Sequence, residues 1–286
     1  MGFTDAADLK TEIYTNGKLY TARYKKTWPN GAGTAGRFYE LFTSTGMPGT
    51  GTFAGSAGIG TVPTSATTGA LDIGPNVSTD TKHILSANMR VPAATMVPGC
   101  MILVDIVIYY PACTINGSPA TPTTLDNTAT ISRYTDGLDL KCFVAIQATA
   151  TGTASIVLTG KDAANNTITH TTAVTNAATG VSLLCSDVGS GSLPFVAFTS
   201  GTSGPVKITS YTSTGATGGT VAIVICKPIL VLPVPDSTFW VERDYLTMYS
   251  KLPQIKDNAC LAWLAFPGGA LANNTIFSGE IQMGWG

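Results

Sequence analysis

Charged side chains are scarce in this chain of 286 residues. The chain contains 16 Lys and Arg against 17 Asp and Glu, so that only 12% of its residues are charged, about half of the share in an average soluble protein. The hydrophobic share of 44% is ordinary, and small residues such as Thr, Gly, Ala and Ser replace the missing charge. This composition excludes a disordered chain, a coiled coil and a basic nucleic-acid-binding protein, because each of these needs more charge.

Long apolar segments are also missing. The two most apolar stretches, 97–110 and 221–232, contain charged residues or proline and are shorter than the roughly 20 residues that cross a bilayer. A secretory signal begins with a basic segment followed by an apolar one. The first six residues do not show this pattern. We therefore expect no membrane partner and a soluble protein made in the cytoplasm.

Catalytic and metal-binding signatures are absent as well. The two histidines, His83 and His170, stand in no metal or nucleophile motif. Asp136 is explained by a turn, and Asp139 by the polar face of a strand. A hydrolase that uses Asp139 or Glu242 is the least favoured of three possible functions. We expect no cofactor, no metal site and no enzymatic activity.

The six cysteines are widely spaced and form no CxxC pair. Most of them lie in apolar runs, which predicts buried free thiols. Disulfide bonds are the alternative, and the absence of an export signal argues against them. The positions are Cys100, Cys113, Cys142, Cys185, Cys226 and Cys260.

What the chain does contain is a series of short segments rich in Thr, Val, Ile and aromatic residues, separated by turn residues, which predicts strands. Asn16-Gly17 and Asp136-Gly137 predict two hairpins, and residues 238–252 are the best candidate for a helix. The fold class that this pattern predicts is an all-β antiparallel sandwich of the jelly-roll type. The further predicted strands are 97–110, 153–160, 166–174, 193–199, 205–213, 219–232, 259–266 and 276–285.

The segment Leu41–Leu71 contains no charged residue and few large apolar ones. Such a segment cannot form a core of its own, so we interpret it as an extended arm that becomes ordered on another surface, or as a flexible linker. The predicted domain organisation is an extended N-terminal arm with a hairpin over residues 1–75 and a β-sandwich domain over residues 76–286.

The N-terminal region combines basic and aromatic residues, with no acidic residue between Ile13 and Tyr39. One interpretation is a docking arm for an acidic protein surface, in which charge steers and aromatic side chains anchor. An ordinary solvated hairpin face explains the pattern equally well. Single-stranded nucleic acid is a distant third possibility, and we expect no nucleic-acid partner because the whole chain is not basic. The candidate partner-binding residues are Tyr14, Tyr20, Arg23, Tyr24, Lys25, Lys26, Trp28 and Arg37.

The middle of the chain is almost uncharged, since Asp187 and Lys207 are the only charged residues between Asp162 and Lys227. A free monomer normally uses charge to stay dissolved and to protect its sheet edges. Strands without charge are therefore expected to be covered in an assembly or coated with Thr and Ser, which favours a shell or filament component over a diffusing enzyme.

Three segments, 98–111, 256–267 and 277–286, resemble virion structural proteins of tailed bacteriophages, and the Thr/Gly/Ala-rich middle is similar in style to phage decoration and tail proteins. The resemblance implies a capsid decoration (cement) protein, located in the virion. It also implies a homotrimer that sits between subunits of the major capsid protein. The runner-up is a tail or fibre protein that binds a host-surface glycan, for which Trp28, Trp240 and Tyr211 are the candidate contact residues.

Overall fold

The computed structural model describes residues 2–29, 35–115, 117, 122–174, 182–184, 194–198, 203–215, 218–247 and 251–286. Within these ranges the chain is almost entirely strand, with one short α-helix, α1 (Ala6–Lys10), a π-helical turn over Thr11–Thr15 and a 3-10 turn over Ala94–Met96. The strands are β1 (Leu19–Thr27), β2 (Tyr39–Glu40), β3 (Gly46–Met47), β4 (Lys82–Arg90), β5 (Gly99–Thr114), β6 (Thr123–Thr124), β7 (Lys141–Ala148), β8 (Ala154–Asp162), β9 (Thr167–Val174), β10 (Pro205–Thr214), β11 (Thr220–Val234), β12 (Val241–Asp244), β13 (Gln254–Ile255), β14 (Leu261–Phe266) and β15 (Ile276–Trp285).

The described strands form three antiparallel sheets. Sheet A has the order β12-β4-β15-β1-β3, with β13 also paired to β4. Sheet B has the order β2-β14-β5-β11-β7, and sheet C has the order β6-β10-β8-β9. The predicted all-β antiparallel class is confirmed, and β5, β8, β9, β10, β11, β14 and β15 each lie within a few residues of a predicted strand.

Sheet B is the centre of the molecule, and its longest strands are β5 and β11. On one face, Leu103 and Trp263 belong to the same buried cluster as Tyr24 of sheet A, with the rings of Trp263 and Tyr24 5.6 Å apart. Farther along β5, Tyr110 reaches sheet C, where its hydroxyl accepts a hydrogen bond from the backbone N–H of Ile208. The two long strands therefore join a sandwich with sheet A to a sandwich with sheet C.

A β-bulge in β5 allows this strand to pack against both sheet A and sheet C. Ile108 pairs with Ile225 and Ile106 pairs with Cys226, which leaves Val107 as an extra residue in β5. An extra residue bends a strand and shifts its alternation. Both Val107 and Ile108 consequently face the same buried cluster.

The opposite face of sheet B is covered by residues 41–71, which we call the strap. Phe53 packs against Phe42 and against Tyr109 of β5, with ring centroids 5.1 and 5.2 Å apart. The strap also exchanges backbone hydrogen bonds with β5 through Thr61 and Tyr109, and with β14 through Leu71. The surface on which this uncharged segment is ordered is thus a sheet of the same chain, and absence of charge suits a segment whose lower side is buried.

Strand β1 lies inside sheet A. It pairs with β15 from Leu19, which is opposite Gly284, to Thr27, which is opposite Ile276, and it pairs with β3 on its other side. The predicted hairpin at Asn16-Gly17 is wrong, because the residues before it are helical. Asp5 accepts a hydrogen bond from the backbone N–H of Asp8 at 2.8 Å and caps α1, a local contact that outweighs the turn signal. The division of the chain at residue 75 stays a prediction.

The hairpin predicted at Asp136-Gly137 is also wrong. Tyr134 has a positive φ of 55° and its carbonyl accepts the N–H of Gly137 at 2.9 Å, which makes a turn where a strand was expected. Arg133, one residue earlier, is drawn inward by the buried carboxylate of Asp105. Only the second half of the predicted pair, at β7, is a strand.

Two further predictions fail in the part of the chain that the structure describes. The helix predicted over 238–252 is wrong through residue 247, where Val241–Asp244 instead pairs with β4, because sheet pairing overrides a weak local preference. The strand predicted over 193–199 is reduced, in the described residues 194–198, to one bridge between Val196 and Cys142. Residues 248–250 lie outside the described ranges.

Strand β4 was not predicted at all. Its residues Lys82 to Ala87 are all buried, so the strand shows no alternation of apolar and polar side chains.

The cysteines in the described residues are free thiols, as predicted, and Cys185 lies outside the described ranges. Four of them, Cys113, Cys142, Cys226 and Cys260, are buried, and Cys100 is half-buried. Burial raises the pKa of all five thiols, which makes them unreactive.

Candidate functional site

The eight predicted partner-binding residues do not form one patch. Alternation along β1 sends Tyr24 and Lys26 into the core, and Trp28 packs between Tyr39 and Phe277. Arg23 and Lys25 point to the opposite, exposed face of sheet A.

The remaining three predicted residues lie elsewhere. Tyr14 is 81% exposed in the turn after α1, and Arg37 is half-buried just before β2. Tyr20 donates its hydroxyl proton to the carboxylate of Asp72, and this hydrogen bond raises the pKa of Tyr20 to about 12. The structure therefore brings together only Arg23 and Lys25 of the eight.

Lys26 is an internal anchor of the strap. Its Nζ is buried and donates hydrogen bonds to the carbonyl oxygens of Ser44 at 3.1 Å and Gly49 at 3.0 Å. Burial lowers its pKa to about 8, against the attraction of Glu40, and burial raises the pKa of Glu40. Glu40 in turn accepts the backbone N–H of Thr43 at 2.9 Å.

A cavity of about 340 Å³ opens beside these groups and is lined by Glu40, Trp28, Phe53 and Gln147. The carboxylate that it contains is already bonded within the protein, so the cavity belongs to the attachment of the strap.

The exposed face of sheet A carries polar side chains in register across its strands. One row runs Glu242, Asn88, Glu280 and Arg23, from β12 through β4 and β15 to β1. The next row runs Arg90, Ser278, Lys25 and Met47. Charges of both signs and uncharged polar groups are thus interleaved on this face.

Glu280 is held at the centre of this face by both of its neighbours. The Asn88 side-chain oxygen accepts the backbone N–H of Glu280 at 3.0 Å, and Asn88 Nδ2 lies 3.4 Å from Glu280 Oε1. Arg23 Nε lies 3.5 Å from Glu280 Oε2. From below, the Tyr24 hydroxyl donates to the carbonyl of Asn88 at 2.9 Å. The carboxylate therefore has a fixed position with one side open to solvent.

Two exposed aromatic residues stand at the β12 edge of the same face. Phe239 is 70% exposed and Trp240 is 55% exposed. Trp240 lies just before β12 and Glu242 lies in it, and both line one groove. Together with Met47, Arg23, Glu280 and neighbouring residues they line a groove of about 590 Å³.

The outer face of sheet C has a different chemistry. On β8, Ile156 and Leu158 face the core, while Ser155, Val157 and Thr159 point outward. Opposite them on β10 stand Thr214, Thr212 and Ser210. In the described part of this face the charged side chains are Lys161 and Lys207, and both lie at one end. The rest of the described outer face of sheet C presents hydroxyl and methyl groups.

The other candidates from sequence are placed as follows. Trp28 and Tyr211 are buried, so Trp240 is the exposed one among the three predicted glycan-contact residues. Asp139 is paired with Lys227 at 3.0 Å. Within the described ranges no group of three or more His, Cys, Asp or Glu side chains is placed to hold a metal ion, and no helix is long and apolar enough to cross a membrane.

Comparisons with known proteins add little. No protein-family model matches the chain, and no curated protein matches it. Among solved structures, the D431N mutant VP2 protein of infectious bursal disease virus, in derived T=1 particles, aligns over 96% of this chain and 82% of its own. The alignment has 8% identity and a TM-score of 0.20. This is a weak similarity to a viral capsid protein, and at this TM-score it supports no conclusion about the fold or function of the chain.

Proposed function

We propose that this chain is a non-enzymatic structural protein of a virion, which binds the outside of a phage capsid and bridges major capsid subunits as a decoration (cement) protein. The observation that carries the proposal is the outer face of sheet C, where Ser155, Val157, Thr159 and their partners on β10 present no charge. The resemblance of three segments to tailed-phage virion proteins agrees with it.

An uncharged face is suited to permanent contact with another protein. A charged side chain must lose its water when an interface closes, and the cost is several kcal/mol if it finds no partner. Hydroxyl and methyl groups lose much less, and charged residues are accordingly depleted at the centres of interfaces. The face of sheet C can therefore be covered at little cost, with Lys161 and Lys207 left at its rim.

The mechanism is mechanical. Contacts through this face would hold neighbouring capsid subunits together against the pressure of the packaged DNA. Self-association with closed rotational symmetry, with a trimer as the expected form, would fix the number of copies at each site. The protein would then be found in the virion after synthesis in the host cytoplasm.

The test is co-sedimentation with capsids of the phage that encodes the chain, prepared without it. We expect saturable binding of the wild type and at least tenfold weaker binding of Val157→Lys and Thr212→Glu, which place a charge in the middle of the face. Thr21→Lys, on the exposed face of sheet A, is the matched control and should bind as the wild type does.

Two results would contradict the proposal. If the wild-type protein does not bind capsids, the decoration function itself is rejected. Unchanged binding by Val157→Lys and Thr212→Glu would reject sheet C as the contact face.

A tail or fibre protein that binds a host-surface glycan is the second candidate. The exposure of Trp240 beside a polar groove favours it. Incorporation into tail rather than head fractions of purified virions, detected with an antibody, would favour this candidate over the first.

A further inference from the structure

We propose that the groove on the exposed face of sheet A is a binding site for an uncharged oligosaccharide, with Trp240 as the stacking surface and Glu280, Asn88 and Arg23 as the hydrogen-bonding groups. This inference does not depend on the decoration function, because the groove and the outer face of sheet C are on different sheets.

The size and shape of the groove suit a ligand of a few sugar rings. Its volume of about 590 Å³ lies within the roughly 300–1,000 Å³ of typical small-molecule sites. Trp240 at the β12 edge and Met47 on β3 close its two ends, and polar side chains of the intervening strands form the floor. A ligand lying across the strands would contact an apolar wall at each end and polar groups between.

The floor offers the donors and acceptors that vicinal hydroxyl groups need. A sugar hydroxyl both donates and accepts. Glu280 supplies acceptors and the Arg23 guanidinium supplies donors, and Arg23 Nε lies 3.5 Å from Glu280 Oε2. Asn88 supplies both kinds of group beside them. Because Asn88 and Glu280 already contact each other, part of their rotamer freedom is lost before a ligand binds.

Trp240 provides the apolar surface that such a site requires. Its indole is 55% exposed, although Trp28 and Trp263 of the same chain are 3% and 1% exposed. The C–H face of a pyranose ring can cover an indole while its hydroxyls reach the polar floor, and a large aromatic surface gains from being removed from water. Because Trp240 and Glu242 line the same groove, both requirements are met there.

The charge pattern selects an uncharged ligand. Glu242 and Glu280 alternate with Asn88 and Arg23 along one row, and Arg90 and Lys25 lie in the next. No extended field of one sign results, and such a field is what attracts polyanions such as nucleic acids. An acidic glycan would also bring its carboxylate towards the carboxylates of Glu242 and Glu280 in the groove.

The test uses the full-length chain on an array of immobilised neutral and acidic oligosaccharides, followed by titration of the strongest binder with isothermal titration calorimetry as the readout. We expect neutral oligosaccharides to bind. We expect Trp240→Ala to raise Kd at least tenfold and Glu280→Gln to raise it several-fold. Phe239→Ala is the matched control, because Phe239 is the adjacent exposed aromatic residue and does not line the groove, and its Kd should stay within twofold of the wild type.

Several outcomes would overturn the inference. These are binding of no neutral oligosaccharide, a clear preference for acidic ones, or an equal loss in Phe239→Ala and Trp240→Ala. A lower oligomeric mass of Trp240→Ala would show that the groove is a protein interface. Capsid binding by Trp240→Ala should equal that of the wild type, so that failure of this inference and failure of the decoration function give different results.

Discussion

At the scale of single residues, two neighbours on β1 differ in their burial. Lys25 extends into solvent on the face of sheet A, whereas Lys26 is buried and donates to two carbonyl groups of the strap. A buried ammonium loses hydration that two neutral carbonyls replace only in part. This explains why the pKa of Lys26 falls to about 8 although Glu40 is nearby.

We predict a pH dependence of stability that depends on Lys26. The unfolded chain holds the Lys26 proton up to about pH 10.5, and the folded protein releases it near pH 8, so that raising the pH through this window favours the folded state. Relative to Lys26→Met, the free energy of unfolding of the wild type should rise between pH 8 and 10.5, by up to about 3 kcal/mol.

Urea denaturation at several pH values measures this difference. Lys25→Met is the control and should keep the rise of the wild type, because Lys25 is exposed. Equal pH profiles for the wild type and Lys26→Met would show that Lys26 stays charged in the folded protein.

Buried polar residues mark the limit of what this sequence predicts residue by residue. Lys26 was predicted to bind a partner from its place in the basic, aromatic N-terminal region, and no role was predicted for Arg133. Both residues are buried. The Lys26 ammonium donates hydrogen bonds to carbonyl groups of the strap. The Arg133 guanidinium donates two hydrogen bonds to the Asp105 carboxylate, each at 2.9 Å. Those partners are remote in sequence, so no local pattern indicates them.

At the scale of elements, the connection between β1 and β15 decides how the N-terminal region behaves. Strand β1 is paired over its whole length with β15, and Ala22 and Tyr24 belong to the main buried cluster. Helix α1 contains no buried residue. The two parts of the same N-terminal region therefore differ sharply in their importance for the fold.

We predict that deletion of residues 1–27 prevents folding, because it removes a strand from inside sheet A and exposes an edge of β15. Deletion of residues 1–10 is the matched control and should leave the strand content and a cooperative urea transition in place. Circular dichroism and urea denaturation measure both variants. A folded 28–286 chain with the wild-type midpoint would instead support an arm that is separate from a self-sufficient sandwich.

The elements were predictable where side chains alternate or run apolar between turn residues, as in β8 and β15. They were not predictable where tertiary partners decide. β4 is buried on both faces, and β12 forms only because Val241–Asp244 meets the edge of β4. The exposed face of sheet A likewise could not be predicted, since Arg23, Glu280 and Glu242 come from distant parts of the chain.

At the scale of the whole molecule, chemistry is divided between the sheets. Sheet A exposes interleaved charges and a tryptophan, sheet B is covered on both faces, and sheet C exposes hydroxyl and methyl groups. A molecule of this kind can present one face to an assembly and leave another face accessible.

We predict that the chain is a trimer in solution, with a mass three times 29.5 kDa. The resemblance to phage decoration proteins implies this form, and closed symmetry through another surface would leave the face of sheet C free to contact the capsid on every copy. Light scattering coupled to size exclusion measures the mass. A monomer at micromolar concentration would contradict self-association, and a dimer would contradict the threefold form.

The pairing of β1 with β15 also orders events during synthesis. Leu19 leaves the ribosome long before its partner Gly284. Sheet A therefore cannot close until β15 has been made, and until then one face of apolar side chains on β1 stays uncovered. Any chain that stops before β15 leaves that sheet open, so that only molecules translated through this strand gain a finished surface for assembly.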